Sequence, residues 1–142
     1  MRTILITALL CTASLLVPAA HAQQGDAGVK ELAELRTKAE KGDAQAQFEL
    51  GQVFALGIFD VPTNYLEAAE WFRKAADQNW AKAQFTLGVY CERGDGVAQD
   101  YAQAVDWYRK AAKQNYAPAQ VNLGLCYRHG NGVTTNSVEA VT

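Results

Sequence analysis

From Tyr65 to Gly88 the chain reads YLEAAEWFRKAADQNWAKAQFTLG, and from Tyr101 to Gly124 it reads YAQAVDWYRKAAKQNYAPAQVNLG. The two stretches lie 36 positions apart, and Trp71 and Trp107, Ala75 and Ala111, and Gly88 and Gly124 fall in register. Repetition at this period means one supersecondary unit stacked on copies of itself. A single unit cannot cover its own apolar face, so its neighbours are its core. Function in such a chain belongs to a surface more often than to a pocket.

The rest of the chain fits around this pair. Asp43 is a good N-cap for a first helix carrying Ala44, Gln47, Phe48, Leu50, Gly51, Phe54 and Ala55 at helical spacing, ended by Gly57. Asn64 with Glu67, and Asp100 with Gln103, have the spacing of a capping box for the second helix of each copy. Those second helices are expected to fade at Gln78-Asn79 and to reach Gln114. Gly94-Asp95-Gly96-Val97 and Gly130-Asn131-Gly132-Val133 are turns, whereas the first copy carries a longer Gly57-Ile58-Phe59-Asp60-Val61. A third copy starts at Ala117-Pro118, with proline at a helix start, and its first helix should run to about Arg128. Asn136 and Glu139 repeat the capping pair, and Thr142 aligns with Asp106, so the third copy is read as truncated before its Trp-bearing helix. The expectation is an all-α solenoid of stacked antiparallel helix pairs, two full repeats plus a truncated third, with apolar surface exposed around Val121, Leu123 and Leu125.

Upstream, residues 1–22 read as a signal peptide. Arg2 precedes the mostly apolar run Ile4 to Val17, and Ala20-His21-Ala22 has the small-x-small pattern of a cleavage site. The run falls short of the roughly 20 residues of a spanning helix. Cleavage after Ala22 places the product in the periplasm or outside the cell. Residues 23–42 form a polar N-terminus, unstructured from Gln23 to Gly28, and a lead-in helix from Val29 to Lys41 with Val29, Leu32, Ala33, Leu35 and Ala39 on one side. Residues 43–142 are the repeat solenoid. The whole chain has 13 basic and 15 acidic residues; loss of Arg2 takes the net charge from −2 to −3. A mildly acidic surface does not draw nucleic acid or anionic membrane.

The residues match a named pattern. A-x-A-Q-x-x-L-G, G-x-G-V and D-Y-x-x-A-x-x-W-Y-R-K-A-A stand here as Ala81-Lys82-Ala83-Gln84, Leu87-Gly88, Gly94-Asp95-Gly96-Val97, Asp100-Tyr101, Ala104 and Trp107-Tyr108-Arg109-Lys110-Ala111-Ala112. Over about Asp43 to Thr142 the chain resembles the Sel-one-like repeat, a relative of the tetratricopeptide repeat. It departs from the pattern at Ile58 to Asp60, and at Cys91, where the family usually has tyrosine. The resemblance implies a right-handed superhelix and adaptor or regulatory roles in envelope assembly, signalling or host contact. It also implies that first helices line the concave side. On that geometry the candidate partner surface is Gln45, Glu49 and Gln52, then Lys82, Thr86 and Val89, then Asn122 and Leu125.

An enzymatic alternative, β-lactamase-like or peptidoglycan-acting, comes with the resemblance only. Beyond residue 22 the chain has one serine, Ser137, and one histidine, His129, and no S-x-x-K. A serine nucleophile needs a base beside it, so the parts are missing. Cys91, Cys126 and His129 give three soft ligands where a structural zinc site takes four. No cofactor is therefore expected, and His129 reads as a solvent-facing residue at a helix end. Cys91 and Cys126, 35 positions apart on successive first helices, are either a disulfide or two buried thiols. Trp71-Phe72 and Trp107-Tyr108 recur too regularly for a ligand box and read as core. The partner is expected to be a protein or peptide, bound without chemistry; a truncated copy of a longer repeat protein is the remaining alternative.

Overall fold

The computed structural model describes residues 16–133, with side-chain surroundings from residue 27 onward. Six helices follow one another: α1 Leu16–Glu40, α2 Ala44–Leu56, α3 Tyr65–Asp77, α4 Ala81–Arg93, α5 Tyr101–Ala112 and α6 Ala117–His129. The chain divides into two compact units, Met1–Glu34 and Leu35–Thr142, and every repeat lies in the second. There α2 packs on α3, α3 on α4, α4 on α5 and α5 on α6. This is the stacked helix-pair solenoid the repeat requires.

The caps act where the sequence puts them. Asp43 accepts from the Ala46 amide at 2.8 Å, Asn64 from Glu67 at 3.2 Å and Asp100 from Gln103 at 2.9 Å. The reciprocal half of the capping box is absent. The Asn64 and Asp100 amides instead donate to the carbonyls of Phe54 and Cys91, both at 2.8 Å. Each such bond ties the start of a second helix to the first helix of its own copy. The cap amide is satisfied tertiarily, and Glu67 or Gln103 is left for other work.

Two helix bounds differ from expectation. α5 ends at Ala112 rather than Gln114, since Asn115 takes a left-handed φ of 60°. α1 runs unbroken through Gln23–Gly28, the stretch expected to be unstructured. Alanine and glutamine there are good helix formers, and Gly25 and Gly28 are too few to stop it. The proposed cut after Ala22 falls within α1. The capping pair Asn136 and Glu139, and Ser137, lie outside the described residues. On α6, Val121 is 62% and Leu125 38% exposed, and Leu123 is half-buried.

The core repeats as the sequence does. Ala68, Ala69, Phe72, Ala75 and Ala76 of α3 are buried, and so are Ala104, Val105, Tyr108 and Ala111 of α5. Phe72 and Tyr108 press on first-helix glycines so closely that a Cβ at Gly88 would lie 2.6 Å from the Tyr108 ring. Phe48 meets Phe72 and Trp80 with ring centroids 5.2 and 5.3 Å away, and Phe85 meets Tyr108 and Tyr116 at 5.7 and 5.5 Å.

The tryptophans depart from the core reading. Trp71 and Trp107 are only half-buried, with the ammonium groups of Lys74 and Lys110 at 3.7 and 3.8 Å from their ring centroids. Adjacent helix positions point about 100° apart, so the two members of each aromatic pair face different ways. Phe72 and Tyr108 hold the inner position.

Candidate functional site

Polar side chains join the copies. Gln47 donates to the Ala39 carbonyl at 3.1 Å, Gln84 to Ala76 at 3.3 Å and Gln120 to Ala112 at 3.4 Å. Each reaches back eight residues to a carbonyl near the end of the preceding helix that also accepts a backbone amide, from Gly42, Asn79 and Asn115 in turn. Gln78 then donates to Gln47 at 2.7 Å, and Gln114 to Gln84 at 2.8 Å. Asn79, held at φ 63°, accepts from Gln84 at 3.1 Å and Gln114 at 3.2 Å. Gln47 and Gln84 are buried, and their amides are satisfied by this ladder. Sequence reasoning missed the ladder, although its signal is visible: Q-N closes both second helices and A-Q opens every first helix.

The eight first-helix residues are placed as follows. Gln45, Glu49 and Lys82 are exposed, and Leu125 is on the surface; Gln52, Thr86, Val89 and Asn122 are half-buried. Gln45 donates to Glu49 at 2.8 Å. Lys82 sits 4.9 Å from the Phe48 ring centroid, and its carbonyl accepts from Thr86 at 3.0 Å. Asn122 lies beside Tyr108, whose hydroxyl donates to Glu92. Burial, then the Glu92 carboxylate, push the Tyr108 phenol above its ordinary range. Burial, then the charge of Asp95, hold Tyr90 at about 12.

Cys91 and Cys126 are free thiols, both buried. Cys91 Sγ donates to Gln103 Oε1 at 3.0 Å. Burial pushes both thiols upward; Arg73 pulls Cys91 partly back, and Glu92 raises Cys126 further. His129 is exposed in the last turn of α6, with Arg128 beside it at 3.4 Å. Among the described residues, no three His, Cys, Asp or Glu side chains come together to hold a metal ion.

The second helices form a cleft. A cleft of about 390 Å³ is lined by Arg73 and Asp77 of α3 and by Gln103, Asp106, Trp107 and Lys110 of α5. A smaller hollow of about 200 Å³ adjoins it, sharing Arg73 and lined also by Leu66, Ala69, Glu70, Gly96 and Val97. The sequence named Trp107 and Arg73 but read them as core and as solvated helix surface. The cleft depends on how α3 and α5 diverge, which no local pattern encodes.

Fold and site together define a helical-repeat protein of the tetratricopeptide-like class. The Sel1 repeat matches residues 44–80, 81–116 and 117–142, and the chain belongs to the Sel1 repeat family. A protective antigen of uropathogenic Escherichia coli strains with an SLR fold is 45% identical, with a TM-score of 0.75 over 78% of this chain and 23% of that one. A Sel1 repeat protein from Oxalobacter formigenes is 38% identical, with a TM-score of 0.73 over 77% of this chain and 82% of that one. Helicobacter pylori cysteine rich protein B is 26% identical, with a TM-score of 0.58, over 78% of this chain and 83% of that chain. The chitin synthase regulator SKT5 of Malassezia restricta is 33% identical over 63 residues, 44% of this chain and 4% of that protein. The chain thus spans under a quarter of the Escherichia coli antigen and a small part of the chitin synthase regulator. Sel1 repeat proteins generally mediate protein–protein interaction, and the repeat is typically a non-enzymatic module. No described helix is long and apolar enough to cross a membrane.

Proposed function

We propose that this chain is an exported module that binds a protein or peptide partner through its first-helix face, in envelope regulation or host contact. The observation that carries the reading is the two-sidedness of the first helices. Phe48, Leu50, Ala83 and Leu87 are buried against the second helices, while none of the eight candidate positions on the same helices is buried. Glu49 and Lys82 offer opposite charges on neighbouring copies, which suits an extended or helical segment of mixed charge. Export is supported by Arg2, the apolar run and the Ala20-His21-Ala22 pattern. The likeness to a protective antigen of uropathogenic Escherichia coli strains supports the same placement.

Affinity capture from an envelope extract tests it, with a Glu49→Lys, Lys82→Glu double variant alongside the wild type. The expected result is one partner held by the wild type and lost by the variant at an unchanged melting temperature. Retention by the variant would move the interface elsewhere. Turnover of a chromogenic β-lactam by the purified chain would replace the reading with the enzymatic one.

A further inference from the structure

One position breaks the repeat, and a cleft opens beside it. Phe54, Cys91 and Tyr127 are equivalent positions of the three first helices. Phe54 is 4% and Tyr127 9% exposed, so in two copies an aromatic ring fills the space behind the second helix. In the third copy Arg109 of α5 donates from Nη2 to the Tyr127 hydroxyl, and its guanidinium lies 5.8 Å from the ring centroid. Arg73 is the equivalent of Arg109, one copy earlier. Its counterpart to Tyr127 is Cys91, a buried and much smaller side chain bonded to Gln103.

The consequences are visible on the same spot. Gln103, bonded to the Cys91 thiol, lines the α3/α5 cleft, and so does Arg73, whose charge acts on that thiol. Among the described residues Arg73 has no hydrogen bond or ion pair, whereas Arg109 is held by Tyr127 and by Asp106 at 3.4 Å. Trp107 supplies an aromatic wall, and Asp77 and Asp106 supply acceptors. A guanidinium donor, an aromatic wall and a carboxylate acceptor are together what a phenol uses: its oxygen accepts, its proton is donated, its ring stacks.

We propose that the α3/α5 cleft binds a phenolic side chain, a tyrosine presented by a partner segment, in the place that a tyrosine at position 91 would have filled. The proposal rests on the protein-binding reading but uses second helices, not the first-helix face. The repeat supplies its own template for the contact in Arg109 and Tyr127.

The probe is N-acetyltyrosinamide, titrated into the isotope-labelled chain, with N-acetylphenylalaninamide as the comparison. The expected result is a saturable shift of the Trp107 indole and the Gln103 and Asp106 amides. Loss of the hydroxyl in the phenylalanine probe, or of the guanidinium in Arg73→Gln, should weaken binding about ten-fold, the effect of one hydrogen bond to a charged group. Cys91→Tyr should fill the cleft from within and abolish binding, and Cys91→Ala should preserve it. No saturable shift in the wild type, equal binding of the two probes, or undiminished binding by Cys91→Tyr would each overturn the proposal. If Cys91→Tyr does not fold, Arg73→Gln and Cys91→Ala still decide. Capture through Glu49 and Lys82 is read separately, so failure here leaves the first-helix reading standing.

Discussion

The inner and outer faces of α5 carry adjacent aromatic residues in opposite circumstances. Tyr108 is fully buried, packed on Gly88 and hydrogen-bonded to Glu92, so it joins α5 to α4. Trp107, one residue before it, is half-buried, covered by Lys110 and part of a cleft. The larger and more apolar ring is therefore the less buried one. In α5 the inner residue has a polar tip that a neighbouring helix satisfies, in α3 its equivalent Phe72 has none, and in both helices the tryptophan stays partly exposed.

That contrast is open to attack at several points. Tyr108→Ala should cost about 3–5 kcal/mol, the range for a large buried aromatic, read by denaturant unfolding. Gly88→Ala attacks the same contact from the other side. Its Cβ would sit 2.6 Å from the Tyr108 ring, and overpacking of this kind costs about 1–3 kcal/mol. Both effects should be much smaller when the outer ring is the one disturbed.

Tyr108→Phe should cost about 1–2 kcal/mol, since Glu92 loses its donor. The same hydroxyl gives a pH prediction. Tyr90, Tyr108, Cys91 and Cys126 all have raised values in the folded chain, so folding favours their protonated forms. Their stabilisation is complete below the ordinary thiol value of 9.0 and is lost as pH climbs through the folded values. Unfolding in urea at successive pH should show stability falling from about pH 9 upward, with Tyr108→Phe flattening the upper part of the fall. Lys110→Ala, which removes only the cation over Trp107, should change stability by no more than about 0.5 kcal/mol.

Much of the architecture was legible because caps, glycine turns and apolar spacing are local signals. Asp43, Asn64 and Asp100 cap the helices they were expected to cap, and Gly57, Gly94 and Gly130 end the helices before them. What stayed hidden depends on neighbours in space. Gln47 and Gln84 look like surface residues until the carbonyls eight residues back are brought within reach of their amides. The first turn departs from the G-x-G pattern, and the structure says what glycine does in the second: a Cβ on Gly96 would lie 2.1 Å from the Tyr65 carbonyl oxygen. Phe59 and Asp60 of the first turn hold left-handed φ values of 57° and 58° with side chains attached. Glycine in the second turn answers a packing demand as well as a turn. Cys91 was noticed as an exception, but its bond to Gln103, a residue of the cleft, shows only in the folded chain.

The central claim is that each repeat stabilises itself with one aromatic and leaves the other accessible. Paired unfolding of Trp107→Ala and Tyr108→Ala under one set of conditions tests it most directly. The account predicts a loss for Trp107→Ala of about 1–2 kcal/mol, less than half that of Tyr108→Ala. A loss from Trp107→Ala equal to or greater than that from Tyr108→Ala would contradict it and return the tryptophan to the core.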